Sequence, residues 1–267
     1  MISGSIDLAH TPNILLAGLS VADKAVIRPF LRRFKLDVRT TIEGRNMPVD
    51  TAHFMESGLV SIVASTTHDR QVEVGIIGRE GTTGLPLLLG SIQSPNVSIV
   101  QIAGTSLGID RQRLADLMEA RPGLHHRLDL FVQSFIVQMS QTTLANSKAN
   151  VDQRLARWLL MARDRADGDR IPLTHEFISI MLGVRRAAVT VAVHNLEAEH
   201  FIRASRGVVV IRDYDGLRTF ADGMYGVAEN EYERLLGTSI SWHAQASDPE
   251  CPGYEDSQYR VPGVRLK

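Results

Sequence analysis

Residues 174–199, THEFISIMLGVRRAAVTVAVHNLEAE, constrain this chain more than any other stretch. Taking Gly183 as a corner divides it into two short helices. Ile178 and Leu182 on one side and Val184, Val189 and Ala192 on the other then form an apolar set at the crossing. Ser179 supplies a small side chain where the backbones approach. Two helices that cross steeply through a short turn need such a set, and the corner residue must tolerate a left-handed conformation, which glycine does without steric cost. The spacing predicts a helix-turn-helix with Thr174 as the N-cap of its first helix. An ordinary αα corner can imitate this pattern, so the next residues matter. HFIRASRGVVVIRD at 200–213 holds two β runs about SRG. A hairpin directly after a helix-turn-helix makes a winged helix.

The second helix opens on two arginines, Arg185 and Arg186, where acidic residues would suit the positive end of the helix dipole. With Val184, Val189, Val193 and Leu196 facing inward, Arg186, Ala187, Thr190 and His194 line the outward face. An arginine fork at the N-terminus of a recognition helix grips guanine O6 and N7 or a phosphate. Solvation, or pairing with Glu197, Glu199 or Asp213, is the plainer reading of the two cations. The local charge balance favours the first. Between 185 and 212 stand the arginines 185, 186, 203, 206 and 212 against the acids 197 and 199, in a chain of net charge −1. The candidate DNA-contacting residues are therefore Thr174, Arg185, Arg186, Ala187, Thr190 and His194, with Arg206 at the hairpin tip.

Upstream the texture changes. From about 34 to 110, short β runs such as FKLDVR, TAHFMESGLVSIVAS, VEVGIIG and VSIVQIAGTSLGI are cut by turn residues, which predicts a compact antiparallel barrel or roll. SVADKAVIRPFLRRF before it reads as a short helix with Ser20 as N-cap. After RPG at 121–123, no Pro or Gly interrupts 124–146, and Leu128, Phe131, Phe135 and Met139 recur at helical spacing, widened by Val132 and Ile136. Such a helix must pack on something. A second copy of itself is one answer, with Leu124, Leu128, Phe131, Phe135 and Met139 as the dimer interface; its own roll is the other. The stripe weakens at Gln138 and Thr142. The divisions expected are 1–122 for the roll, 123–150 for the dimerisation helix, 151–236 for the winged helix-turn-helix and 237–267 for a disordered or loosely attached tail. The fold class is α+β.

In this order of elements the chain resembles the Crp/Fnr superfamily of bacterial transcription regulators. The likeness is greatest in RLARWLLMARDR at 154–165 and in the run IPLTHEFISIMLGVRRAAVTVAVHNLEAEHFIRASRGVVVI that ends at 211, and it covers about 10–235. The resemblance implies an N-terminal roll like a cyclic-nucleotide-binding domain, a homodimer on a two-fold symmetric operator in double-stranded DNA, and RNA polymerase and a small-molecule effector as further partners. It places Arg186 on the family's base-contacting arginine. The glutamate that usually follows is Ala187 here, and the later contacting arginine is Val191, so no carboxylate is available at 187 to accept from cytosine.

The resemblance also raises a ligand. Cyclic-nucleotide-binding members carry Gly-Glu-Leu and, some ten residues on, Arg-Ser/Thr-Ala. In GREGTTGLPLLLGSIQSPNVSIVQ, residues 78–101, Leu85 stands where the glutamate belongs and SPNVS replaces the arginine motif. A buried phosphate without an ion partner is too costly to hold, so cyclic AMP or GMP is not expected and no cofactor is assigned. Gly78, Gly81 and Gly84 read as turn chemistry. Cys251 is the only cysteine, which excludes a disulfide framework and the family's iron–sulfur branch. His125 with His126, and His194 with His200, lack ligand spacing, so no metal site is expected. No catalytic motif is present, and His53 and His68 alone do not furnish a cupin-like metal set; the chain is read as no enzyme. The N-terminus lacks the basic region of a signal peptide and no apolar run reaches the ~20 residues of a membrane span, so a cytoplasmic setting is expected. A sensor or scaffold that uses the winged helix for protein contacts is the alternative.

Overall fold

The computed structural model describes residues 6–68, 70–166 and 168–240. Cys251 and most of the expected tail lie outside them. Helices α1 (Ile14–Ala17) and α2 (Val21–Ile27) lead into six strands: β1 (Arg32–Leu36), β2 (Thr41–Glu43), β3 (Thr51–Met55), β4 (Leu59–Ser65), β5 (Gln71–Ile77) and, after α3 (Leu85–Leu88), β6 (Val97–Ile102). Then come β7 (Gly104–Asp110), α4 (Arg111–Ala120), the long α5 (Pro122–Lys148), α6 (Val151–Arg165), β8 (Arg170–Pro172), α7 (His175–Leu182) and α8 (Arg186–Ala198). The chain closes with β9 (Ile202–Ser205), β10 (Val208–Ile211), α9 (Tyr214–Phe220) and α10 (Val227–Leu236). Ser20 caps α2 by accepting from the Asp23 amide, as its position in the sequence predicts.

Strands β1–β7 form two antiparallel sheets, ordered β1-β7-β3 and β2-β6-β4-β5, that face each other as a roll. Inside lie Phe54, Val60, Ile62, Ile77, Val100, Leu107 and Ile109, all buried. The sheet β2-β6-β4-β5 is buried on its other face too. Leu59, Ile76 and Ile102 belong to the core of the C-terminal half, with Trp158, Leu159 and Leu182. Side chains alternate across a strand, so Ile76 and its neighbour Ile77 serve different cores.

Helix α5 departs from the sequence expectation. Leu124, Leu128, Phe131 and Phe135 are each at most 3% exposed within their own chain, and Met139 is half-buried against the same core. They are closed off from a second copy. The glycines of the roll make the close approach possible: a β-carbon on Gly81 would stand 2.3 Å from the Phe131 ring, and one on Gly75 2.7 Å from that of Phe135. Gln138 interrupts the apolar stripe for a reason. Strand β5 is a sheet edge, and Gln138 accepts from the Ile76 amide at 2.8 Å while donating to the Ile76 carbonyl at 3.1 Å. One side chain thus satisfies the edge groups that a neighbouring strand would otherwise pair. What α5 leaves uncovered is its other side, with Ile136 45% and Leu144 43% exposed.

The segment after α9 joins the two cores. Ala221 and Tyr225 sit in the C-terminal core, whereas Tyr232, Leu236 and Ile240 sit in the roll's. The expected unit 151–236 therefore ends on a helix that packs elsewhere, against α5. The Tyr232 hydroxyl donates to the Glu80 carbonyl at 2.7 Å, and Arg127 reaches the Leu236 carbonyl at 3.4 Å. Around Glu80 the contact is ionic: its carboxylate takes the Arg165 guanidinium at 2.7 Å, with both side chains at most 3% exposed. Leu236→Ala should cost about 2–5 kcal/mol as a buried leucine truncation. Urea unfolding checks this; a change below about 0.5 kcal/mol would mean that α10 carries little of the packing.

A second buried acid lies between the halves. Glu73 accepts from Trp158 Nε1 at 2.6 Å and from the Ser61 hydroxyl. Burial pushes its pKa up from the ordinary 4.5 to about 7, against the opposing pull of those two donors. The folded state then holds a proton that the unfolded state releases, so this group's contribution to stability falls as pH rises from about 4.5 to about 7. Glu73→Gln should lack that fall. Melting temperatures across this range should converge at low pH and separate above it, with the variant the more stable; parallel curves would refute the raised pKa.

Candidate nucleic-acid interface

The helix-turn-helix is built as its spacing predicts. Thr174 is the N-cap of α7 and accepts from the Phe177 amide, and Gly183 closes the helix in the left-handed region at φ 60°. The α7 and α8 axes are bent 104° from each other, within the range of helix-turn-helix pairs. Ile178, Met181, Leu182, Val189, Ala192, Val193 and Leu196 are buried in the crossing and Val184 is half-buried. Three antiparallel strands in the order β8-β10-β9 complete the wing. The sequence reading has two of these; β8, with Pro172 opposite Val208, is too short to signal itself. Glu197 pins wing to helix by accepting from the Ala204 amide at 2.7 Å.

Thr174, the first of the expected contact residues, is exposed. Arg186, Ala187 and His194 on α8 are exposed, as are Arg185 ahead of it and Arg206 at the two-residue turn between Ser205 and Val208. Thr190 is half-buried, its hydroxyl within 3.2 Å of the Arg186 carbonyl and 3.4 Å of His175 Nδ1. Helix α8 starts without any side-chain cap and with no acid in its first turn. Neither Arg185 nor Arg186 makes an ion pair among the described residues; His194 is 3.7 Å from Glu197. Two of the three acids the sequence offers as partners are engaged elsewhere, Glu197 with the wing and Asp213 as N-cap of α9, and the third, Glu199, makes no ion pair with either arginine. Free donors, a positive helix end and two unpaired guanidinium groups therefore coincide at the corner. Such a site attracts anions.

In the roll, the loop expected to fail as a nucleotide cassette bonds to a carboxylate of the chain itself. Gly84, at φ 78°, donates its amide to the Glu43 carboxylate at 2.5 Å, and the other carboxylate oxygen accepts from Ser98 at 3.0 Å. Sequence reasoning gave Glu43 no role; a carboxylate 41 residues from its partner leaves no local signal. His53 is buried beside Ser106, and burial lowers its pKa to about 4. Among the described residues no group of three or more His, Cys, Asp or Glu could hold a metal ion, and no single helix is long and apolar enough to cross a membrane.

Comparison with known proteins agrees with this architecture. Residues 153–220 match the Crp-like helix-turn-helix domain. No curated protein matches the chain by sequence. Among solved structures, a transcriptional regulator of the Crp/Fnr family from Eubacterium rectale is similar at 19% identity and a TM-score of 0.62, over 78% of this chain and 98% of that one. FixK2 from Bradyrhizobium japonicum aligns at 16% identity and 0.62, over 71% and 96%. The c-di-GMP-responsive regulator CLP of Xanthomonas campestris aligns at 18% and 0.58, over 72% and 99%. The chain thus has the fold of the Crp/Fnr transcriptional regulators. Within it, residues 153–220 are a Crp-like helix-turn-helix domain.

Gly183→Ala should destabilise the corner by about 1–2 kcal/mol, the cost of a β-carbon in left-handed backbone. Chemical denaturation measures it; an unchanged midpoint would mean that the corner relaxes to another conformation.

Proposed function

We propose that this protein binds double-stranded DNA as a homodimer and regulates transcription through α8 and its wing. The observation that carries this reading is the α8 N-terminus, where Arg185 and Arg186 stand exposed and unpaired on an uncapped helix. Base edges are within reach of Arg186 from the major groove, while Arg206 at the wing tip suits the phosphate backbone. Contact with RNA polymerase belongs to the same reading, as does a cytoplasmic setting.

Dimerisation is assigned to the uncovered side of α5. Ile136 and Leu144 are apolar and exposed there, and the Ser140 and Thr143 hydroxyls between them turn back onto the helix carbonyls, leaving a smooth face. Ile136→Glu with Leu144→Glu should convert a dimer to a monomer in light scattering without loss of the thermal transition. A parent protein that is already monomeric, or a double variant that stays dimeric, would refute the assignment. Phe131→Glu with Phe135→Glu, two of the five interface residues the sequence suggests, should unfold the chain instead, because both rings are buried in the roll core.

Cyclic AMP should not raise the melting temperature, because Glu43 already occupies the Gly84 amide and would repel a phosphate there. A clear upward shift at micromolar cyclic AMP would overturn this.

Arg186→Ala should relax sequence preference, at about 1–3 kcal/mol for one position of the site. Arg206→Ala should weaken all DNA alike and lower the salt slope by about 1 per subunit. Binding isotherms on a selected site and a mutated site, at several salt concentrations, separate the two effects. Equal losses on both DNAs for Arg186→Ala would make it a phosphate anchor. No binding to any duplex would leave the winged helix to protein contacts.

A further inference from the structure

The outward side of α8 is apolar at its centre. Val189, Ala192, Val193 and Leu196 are buried and define the inner side of the helix. At about 100° per residue, Ala187, Val191 and His194 fall within about 60° of one another on the opposite side. Val191 is 58% exposed and belongs to neither hydrophobic core. Ala187 is exposed beside it, one turn nearer the N-terminus. A lone exposed valine is ordinary on a protein surface. This one is distinguished by its place. It stands about 7.5 Å along the axis from Arg186, in the N-terminal half of a helix whose start is cationic and uncapped.

The polar side chains around Val191 do not serve its surface. Asn195 donates to Asp152 at 2.8 Å, and the Thr190 hydroxyl turns back to the Arg186 carbonyl at 3.2 Å. His194 lies beyond, 3.7 Å from Glu197. Between the Arg186 guanidinium and the His194 ring, Ala187 and Val191 therefore present neither a donor nor an acceptor. In the major groove such a pair cannot hydrogen-bond a base edge. Laid against the polar edge of a G·C pair, it strands groups that water would otherwise satisfy, which is costly. Thymine alone offers an apolar group there, its 5-methyl, and taking that methyl out of water against Val191 is favourable.

We infer that Val191, with Ala187, reads the 5-methyl group of a thymine in the major groove, so that the operator carries an A·T pair opposite the middle of α8. This rests on the DNA-binding reading and deepens it by naming a base that an arginine fork does not select.

The test uses the full chain and a duplex that it enriches from a random pool. Each thymine of one enriched half-site is replaced in turn by deoxyuridine, which deletes the methyl and keeps every hydrogen-bonding group. At one thymine the parent should lose about fourfold in affinity, the value of a single buried methyl. Val191→Ala should bind the thymine and deoxyuridine duplexes alike at that position, and its melting temperature should match the parent's because the side chain is exposed. Putting cytosine in place of the same thymine, paired with guanine, should cost the parent about tenfold. Replacing that cytosine by 5-methylcytosine should recover about fourfold, since the methyl returns to the same place in the groove. Indifference of the parent to deoxyuridine at every thymine overturns the inference and leaves DNA binding intact, as do unchanged deoxyuridine losses in Val191→Ala. Failure of the parent to prefer any duplex overturns the DNA-binding reading with it.

Discussion

Glu80 holds the two halves of this protein in register. Its carboxylate receives Arg165 from α6 and its carbonyl receives the Tyr232 hydroxyl from α10, so one residue of a roll loop fixes two C-terminal helices. Both partners of the ion pair are almost wholly buried. Removing charges from water costs several kcal/mol per ion, and the attraction repays that only when geometry is good and the remaining donors are used. Arg165 meets both conditions. It also bonds the Met161 carbonyl, and Glu229 lies 3.9 Å away. The neighbouring carboxylates hold its pKa above the ordinary arginine value despite burial. Apolar burial supplies the adhesion here, through Leu59, Ile76 and Ile102, and the ionic cluster finds its partners only in this docking, since Arg165 would otherwise be a buried charge without an acid.

Much of the helix-turn-helix could be read from the sequence, because its determinants are local. A glycine at a left-handed corner, a threonine that caps the helix before it and an apolar set around the turn all lie within about 20 consecutive residues. Their geometry follows from backbone sterics and side-chain reach. The packing of α5 could not be read in the same way. Periodicity reports that a helix has an apolar face, but it does not name what covers that face. Gln138, a polar residue in the stripe, argued for a weaker interface; in the fold it finishes the edge of β5. Glu80 and Arg165, 85 residues apart, carry no sequence signal of their pairing at all. Nor do Glu43 and Gly84.

The arginines of the chain divide by what surrounds them. Arg165 and Arg157 are buried, spent on carboxylates or on carbonyls such as that of Met224. Arg185, Arg186 and Arg206 are exposed and make no ion pair among the described residues. Side-chain type is the same in both groups. An arginine fixed by internal acceptors holds the fold; one left hydrated at a helix start is available to an external anion, since desolvation is then repaid by the partner.

The same docking limits how two copies can meet. Along its N-terminal half, α5 is enclosed by the roll and by α10, which leaves Ile136 and Leu144 toward its C-terminal end. That end lies next to Ala149 and Asn150, the two residues linking α5 to α6. A two-fold axis through this stretch would bring the joints of the two subunits close together and hold the winged helices beside the axis. Because α6, which packs with the winged helix, is fixed to its own roll by the Glu80–Arg165 pair, the separation of the two α8 helices would follow from the pairing of α5. The spacing of half-sites in an operator would then be set by a helix that touches no DNA.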